Sequence, residues 1–390
     1  MYLYLLFGVI LFLLLIISLL IWCLCKRRYN EHRELRAMQE LGNREEPVEP
    51  LVSPPRSNNS NDGLQENFEI DESNLEMYKV IETGSFYKGK LSLAFLRSKR
   101  DETDTLAVIV QSAHIANDNI ALSLLKMAVK TMSGFPTHPN ILAYLGFVRN
   151  ETEMCIVTEY PIGGNLFSFL KKFQKEGFND QLTEDRNSYN IKNRKLDSNM
   201  DILRTVDLIS FAYQISNGMD YLEKLSIKHL QLCLHNVMIS DDKTIRISGF
   251  TLAGAFPENN RCNDETGILP PCRCGFVCKF STKADLGDFA VCMHEIFSLG
   301  KTSDEAMSNG KFLAQPAFCH NEIYHLMQHC WNADSEQNRT FSYCITFLEQ
   351  HMKKFDVPIE HQIEMKLLDA AREQRKLLEF VDYCRKSVKS

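Results

Sequence analysis

The chain begins with an unbroken apolar run before any alternation of hydrophobic and polar positions appears. Residues 1–25 contain no charged side chain and are rich in Leu and Ile. A stretch of this length crosses the roughly 30 Å hydrocarbon core of a bilayer as one helix. Basic residues follow at Lys26, Arg27 and Arg28, which predicts a cytoplasmic C-terminal side and almost no segment outside. A cleaved signal peptide is the alternative, although its basic residues would precede a shorter apolar run.

The next segment, residues 26–67, is charged and polar and ends in a run rich in Pro, Ser and Asn. It contains too few apolar residues to bury a core. We therefore predict a flexible juxtamembrane linker that separates the membrane segment from a folded domain.

The remaining chain has the pattern of a folded domain over residues 68–352. Alternating apolar positions predict strands, and apolar positions at helical spacing predict helices further along. The strand patterns lie at 78–93, 105–111 and 154–160, and the helical patterns lie at 206–225, 283–299, 321–332 and 341–354. Strands followed by helices favour an α+β fold, with a small β-rich lobe before a larger helical lobe.

Two segments of this part of the chain depart from the domain pattern. Residues 171–200 are polar and charged, which predicts a surface insertion. Residues 353–390 form a tail whose apolar residues recur at helical spacing among Lys, Arg and Glu. We predict an amphipathic helix packed on the domain, and contact with a membrane or partner is the alternative.

Charge and cysteine content narrow the class of protein. The net charge of −6 gives no basic surplus for binding nucleic acid. The 13 cysteines are scattered, and in a cytoplasmic domain they are expected to be reduced thiols. Cys262, Cys272, Cys274 and Cys278 form the one cluster that suggests zinc. Because their spacing lacks paired Cys-x-x-Cys motifs, we predict no metal site.

Several motifs occur in a fixed order along the predicted domain, and they resemble those of receptor tyrosine kinase domains. They are Val157-Thr158-Glu159-Tyr160, Gly164-Asn165-Leu166, Gly218-Met219-Asp220-Tyr221-Leu222, Asn236-Val237-Met238, Glu295-Ile296-Phe297-Ser298-Leu299-Gly300 and Cys330-Trp331. The resemblance implies a two-lobed protein-kinase-like fold, preceded here by one transmembrane helix.

The resemblance also shows which phosphate-binding residues have been replaced. The glycine-rich loop of the family retains one motif glycine, Gly84. The third strand places Ile109 where the family has its phosphate-binding lysine. The glutamate that pairs with that lysine is also missing, because residues 119–137 contain no acidic side chain. Loss of both partners avoids leaving one unpaired charge in a partly buried cleft.

The catalytic positions of the family are replaced as well. The stretch His229-Leu230-Gln231-Leu232-Cys233-Leu234-His235-Asn236 has Gln231 in place of the catalytic aspartate, and an amide has no useful basicity. Gly249 stands where the family has the aspartate that binds magnesium. The residual nucleotide-binding positions are Gly84, Glu159 and Asn236. Pro161 lacks the N–H that normally binds adenine.

These replacements predict a catalytically inactive pseudokinase. The apolar run at 1–25 predicts that it lies in a membrane, expected to be the plasma membrane. We predict that it acts as a scaffold or as an allosteric partner of an active tyrosine kinase. Phosphorylation of Tyr29, Tyr189 or Tyr383 would offer docking sites for phosphotyrosine-binding adaptors. We expect no cofactor, and we leave open residual ATP binding without magnesium. The alternative is a weakly active or unconventional protein tyrosine kinase.

Overall fold

The structure of the chain is a computed structural model. The structure describes residues 66–83, 90–98, 104–114, 119–134, 136–151, 153–182, 198–253, 282–301, 313–331, 340–353 and 359–386. The predicted transmembrane helix at 1–25 and nearly all of the predicted linker at 26–67 lie outside these residues. Within them, no helix is both long enough and apolar enough to cross a bilayer.

The smaller lobe is built on one antiparallel sheet. Its strands are β1 (Leu75–Thr83), β2 (Lys90–Arg97), β3 (Thr105–His114), β4 (Tyr144–Arg149) and β5 (Glu153–Glu159). Their order in the sheet is β1-β2-β3-β5-β4. The apolar pattern at 78–93 therefore covers two strands, which pair with each other from Leu75 opposite Leu96 to Thr83 opposite Lys90.

Helices dominate the rest of the domain, and the last five of them lie close to the helical patterns that the sequence predicts. They are α1 (Asn119–Met132), α2 (Leu166–Lys171), α3 (Thr205–Lys224), α4 (Thr282–Phe297), α5 (Asn321–Trp331), α6 (Phe341–Met352) and α7 (Ile359–Lys386). Short strand pairs β6 (Phe178–Asn179) with β7 (Leu203–Arg204), and β8 (Val237–Ile239) with β9 (Ile245–Ile247), complete the architecture. A sheet-based smaller lobe and a helical larger lobe agree with the predicted α+β, kinase-like fold.

The first part of the predicted insertion lies at the surface and is anchored by two buried side chains. Phe173 is buried in the larger lobe. Gln181 is also buried, where its backbone N–H donates to Thr205 Oγ1 at 2.9 Å and its side-chain oxygen accepts from the Val206 N–H at 3.0 Å. Residues 171–182 therefore form part of the folded domain, and the remainder of the predicted insertion up to 197 lies outside the described residues.

Helix α7 runs along both lobes and contributes to the core of each. Ile363 and Leu367 pack into the larger lobe, whereas Val381, which is fully buried, completes the core of the smaller lobe. Between these ends, Gln374 Nε2 donates to the carbonyl of Ile141 and to Glu159 Oε1, each at 2.9 Å. The tail is therefore an integral part of the domain, since its apolar face is shared between the two lobes.

Candidate functional site

The first replaced position that the sequence singled out lies in the sheet of the smaller lobe. Ile109 lies on β3, 8% exposed, opposite Thr158 of β5. Val108 and Val110 point into the core of the smaller lobe. Since side chains alternate along a strand, Ile109 points to the opposite face. β3 carries no lysine and α1 carries no acidic residue, so the lysine–glutamate ion pair cannot form between these two elements.

A buried aspartate holds the loop that precedes Gln231. Asp285, at the start of α4, accepts the backbone N–H groups of His229 at 2.9 Å and Leu230 at 2.8 Å. These bonds fix Leu230 at a φ of +62°, in the left-handed region that non-glycine residues seldom adopt. Burial raises the pKa of Asp285 to about 6, and the two hydrogen bonds act in the opposite direction. The loop is therefore held firmly, although Asp285 itself has its oxygens directed at backbone.

His229 is a structural residue of this loop. Its side chain is fully buried, and Nε2 lies 2.9 Å from the carbonyl oxygen of Ser248. Its ring packs edge-on against Phe250, with centroids 5.2 Å apart. Burial lowers the pKa of His229 to about 4, with the Ser248 contact opposing the shift. The imidazole is therefore neutral near pH 7 and is engaged with the protein interior.

Gln231 occupies the position of the catalytic base and is bound by its neighbours. Its side-chain oxygen accepts a hydrogen bond from Thr251 Oγ1 at 2.9 Å. Its backbone carbonyl accepts from Asn236 Nδ2 at 2.8 Å. An amide oxygen that already accepts a hydroxyl proton has neither the basicity nor the orientation to remove a proton from a substrate. Thr251, which the sequence analysis did not identify, is therefore part of the site.

Gly249 and Asn236 lie in direct contact. Gly249 has a φ of +87°, and a Cβ atom at this position would lie 2.6 Å from Cγ and 2.7 Å from Nδ2 of Asn236. Real Cβ atoms do not approach other atoms so closely, because van der Waals repulsion rises steeply there. The amide of Asn236 thus fills the space that a side chain at position 249 would need. In this arrangement residue 249 offers no oxygen from a side chain to a divalent cation.

Glu159 has a structural role in the domain. Its carboxylate, mostly buried, accepts the Ala143 N–H at 2.7 Å and Gln374 Nε2 at 2.9 Å. The Nε atom of Arg246, on β9, lies 3.3 Å from the same oxygen as an ion pair. The side chain therefore joins Ala143, which precedes β4, to β9 and α7.

The other site predictions are distributed as follows. His235, in the stretch 229–236 that corresponds to the catalytic loop, is exposed, with its ring centroid 4.2 Å from that of Phe167. Gly84 lies outside the described residues, and so do the cysteines of the suggested zinc cluster, Tyr29 and Tyr189. Tyr383 lies near the end of α7 and is 40% exposed.

Gln374 and Arg246 were missed from the sequence, although Gln374 carried a signal. It follows Ile363, Leu367 and Ala370 at helical spacing and precedes Val381 by seven residues, which places a polar side chain on the buried face of the helix. Such a residue must find hydrogen-bond partners inside the protein. Its partners lie in the connection between the lobes.

Comparison with known proteins gives consistent matches. The family model described as protein tyrosine and serine/threonine kinase matches residues 75–348. The chain is 32% identical over 367 residues to "Tyrosine-protein kinase receptor ver-3" of Caenorhabditis elegans, a match covering 82% of this chain and 30% of that protein. It is 29% identical over 351 residues to "Receptor-like tyrosine-protein kinase kin-15" of the same organism, covering 80% and 72%. With "Tyrosine-protein kinase receptor old-1", also from Caenorhabditis elegans, it shares 32% identity over 313 residues, covering 73% and 60%. The chain thus spans less than two thirds of two of these relatives.

Proposed function

The chain belongs to the family of protein tyrosine and serine/threonine kinases, and from this premise we propose that it is a membrane-anchored pseudokinase. We propose that it transfers no phosphate and acts as a signalling scaffold or as an allosteric partner of an active kinase. The similarity to receptor kinases and the apolar run at 1–25 support the membrane location.

The contact between Gly249 and Asn236 carries this proposal. Phosphoryl transfer needs a divalent cation to neutralise the charge on the β- and γ-phosphates. The family binds that cation through an aspartate at the position of Gly249, where the Asn236 amide leaves no room for a Cβ atom. The loss is therefore more than one missing carboxylate, since the surrounding side chain has taken up the space.

The neutral side chains at the other catalytic positions add to this argument. Ile109 replaces a cation and Gln231 replaces a base, and each is accommodated by neighbouring protein groups. Removing one oriented catalytic group typically costs about 10²- to 10³-fold in rate. Several such losses in one cleft favour a role in binding over a slow reaction.

The position of Tyr383 on α7 bears on the proposed recruitment of phosphotyrosine-binding adaptors. Tyr383 lies in the last turn of α7, close to Cys384, which is buried, and to Arg385, whose guanidinium donates to the carbonyl of Leu145. A phosphate near a helix C-terminus is repelled by the negative end of the helix dipole. Phosphorylation of Tyr383 would therefore loosen the end of α7, and Tyr29 and Tyr189 remain proposed docking sites outside the described residues.

A direct assay separates the pseudokinase from a weakly active tyrosine kinase. The full-length chain in detergent would be incubated with radiolabelled ATP and a tyrosine-containing polymer, with magnesium or manganese. We expect no transfer above that of the Gln231→Ala variant, which controls for contaminating kinases. Metal-dependent transfer by the wild type that disappears in Gln231→Ala or Asn236→Ala would overturn the proposal.

The allosteric role requires a second measurement. Autophosphorylation of a purified active receptor tyrosine kinase domain would be followed with increasing amounts of the full-length chain reconstituted beside it in vesicles. We expect a change in its rate that saturates. An unchanged rate at all ratios would contradict the partner role while leaving the inactivity proposal standing.

A further inference from the structure

Two histidines and a glutamate converge in the larger lobe, far from the cleft. His320 precedes the first residue of α5, Glu322 lies in the first turn of that helix, and His351 lies near the end of α6. Each offers one ring nitrogen or carboxylate oxygen, and the three atoms lie within 4.8 Å of one another. His320 and His351 are 4% and 2% exposed, whereas the Glu322 side chain is 44% exposed.

We propose that His320, Glu322 and His351 form a zinc-binding site. Two imidazoles and one carboxylate are an established ligand set for zinc, with water completing a tetrahedron. Zinc bonds of about 2.0–2.1 Å put neighbouring ligand atoms about 3.3 Å apart. His351 Nδ1 and Glu322 Oε2 are 3.0 Å apart, so this pair needs to separate only slightly, while the third atom moves inward.

The burial of the two imidazoles suits a metal ligand. Zinc requires neutral imidazole, and protonation competes with the metal. Glu322 sits on the solvent side of the cluster, so its carboxylate offers the ion a route of entry and supplies negative charge. The packing around His320 and His351 leaves little room for several additional water ligands, which favours four-coordinate zinc over a metal that needs six.

Hydrogen bonding alone is the competing explanation for the cluster. His320 Nδ1 accepts the Glu322 backbone N–H at 3.2 Å, and the rings of His320 and His351 meet edge to face with centroids 4.6 Å apart. A zinc ion bound through Nδ1 of His320 would replace the 3.2 Å hydrogen bond from the Glu322 backbone N–H. The two explanations therefore predict different metal contents for the same fold.

A zinc ion at this site would link the beginning of α5 to the end of α6. The segment joining the two helices, 332–339, lies outside the described residues, and the residue after α6, Lys353, forms an ion pair with Glu360 of α7 at 3.8 Å. Zinc would thus stabilise the packing of α5 against α6, which is a structural role and independent of any phosphate transfer.

Metal content tests the proposal. The full-length chain would be purified in detergent through a tag that binds no metal, incubated with zinc, dialysed and analysed by mass spectrometry for metals. Three variants remove one ligand each: His320→Asn, which retains an N-cap side chain, Glu322→Gln and His351→Gln. His325→Ala is the matched control, because His325 is an exposed histidine of the same helix.

We expect one zinc per chain in the wild type and in the control. Even outer-shell partners of a metal typically contribute about 10- to 100-fold in affinity, so loss of a direct ligand is expected to weaken zinc binding at least as much. Cobalt added to the metal-free protein should give the visible absorption of a tetrahedral site, and that absorption should be lost in the three variants. Circular dichroism would verify that each variant is folded.

Two outcomes would overturn the proposal. One is a wild-type chain that holds no zinc after incubation. The other is full zinc content in all three variants, which would assign the metal to another part of the chain, such as the cysteines between 262 and 278.

Discussion

Replacing Gly249 by alanine tests whether Asn236 occupies the space that a side chain at position 249 would need. The chain offers a matched control, since Gly164 has a similar left-handed φ of +73° against +87° for Gly249. A Cβ at Gly164 would have nothing within 4 Å, whereas a Cβ at Gly249 would lie 2.6 Å from Asn236 Cγ. The two substitutions therefore share backbone strain and differ in the contact with Asn236.

The expected losses follow from these two terms. A non-glycine residue in the left-handed region costs about 1–2 kcal/mol in the free energy of unfolding, and both variants bear this cost. Alanine at 249 must also displace the Asn236 amide and break its 2.8 Å bond to the Gln231 carbonyl. Leaving buried polar groups unsatisfied costs about 1–3 kcal/mol. Gly249→Ala should therefore lose about 2–5 kcal/mol, against about 1–2 kcal/mol for Gly164→Ala.

Urea denaturation of the full-length chain, followed by tryptophan fluorescence, measures both losses. A lower midpoint at unchanged slope reports a change in stability rather than in the unfolded state. The double variant Gly249→Ala/Asn236→Ala should lose less than the sum of its single variants, because the two sites are in contact. Equal losses for Gly249→Ala and Gly164→Ala would refute the reasoning, since they would mean that Asn236 moves aside at no cost.

Three further predictions concern α7 and the interior. Gln374→Ala removes two buried hydrogen bonds, one to a carboxylate, and should lower the free energy of unfolding by about 2–4 kcal/mol in the same assay. The control Arg375→Ala, at an exposed position of the same helix, should change it by less than about 0.5 kcal/mol. Similar losses for the two variants would contradict the buried position of Gln374 on α7. Val381→Ala should cost about 1.6 kcal/mol for the two methyl groups, plus a cavity term, and a loss no larger than that of Arg375→Ala would exclude its place in the core. Burial, and then Arg246, lower the pKa of His138 from 6.5 to about 4, so its contribution to stability is complete above pH 6.5 and is lost as the pH falls toward 4. His138→Gln should make the urea midpoint less dependent on pH in that window, and an unchanged dependence would contradict the burial of a neutral imidazole.

The order of strands and helices was predictable because it depends on local periodicity. The patterns at 206–225 and 321–332 agree with α3 and α5 to within one residue at each end, since each helix buries one apolar face and ends where that periodicity ends. The pattern at 78–93 merged β1 with β2 because both strands alternate with the same period and the sequence between them also contains apolar residues, Phe86 and Tyr87.

Contacts between residues that are far apart in the sequence could not be predicted from the sequence. The replacement at Gly249 was visible from its motif, but the space taken by Asn236 depends on a left-handed backbone that only the folded loop defines. His320 and His351 are 31 positions apart, so no ligand spacing indicated their convergence. Gln374 was predictable as a buried polar residue, although its partners Ile141 and Glu159 were not, because they come from another part of the fold.

Helix α7 has a consequence for the order in which the protein is made. The ribosome synthesises the sheet of the smaller lobe before α7, yet Val381 of α7 is part of the core of that sheet. Domains generally fold as units during synthesis, beginning from the N-terminus. Here the sheet cannot complete its interior until α7 has left the ribosome. A premature stop codon before position 381 would therefore damage a lobe whose strands are encoded much earlier, and it would expose apolar surface to the chaperones and proteases that monitor new chains.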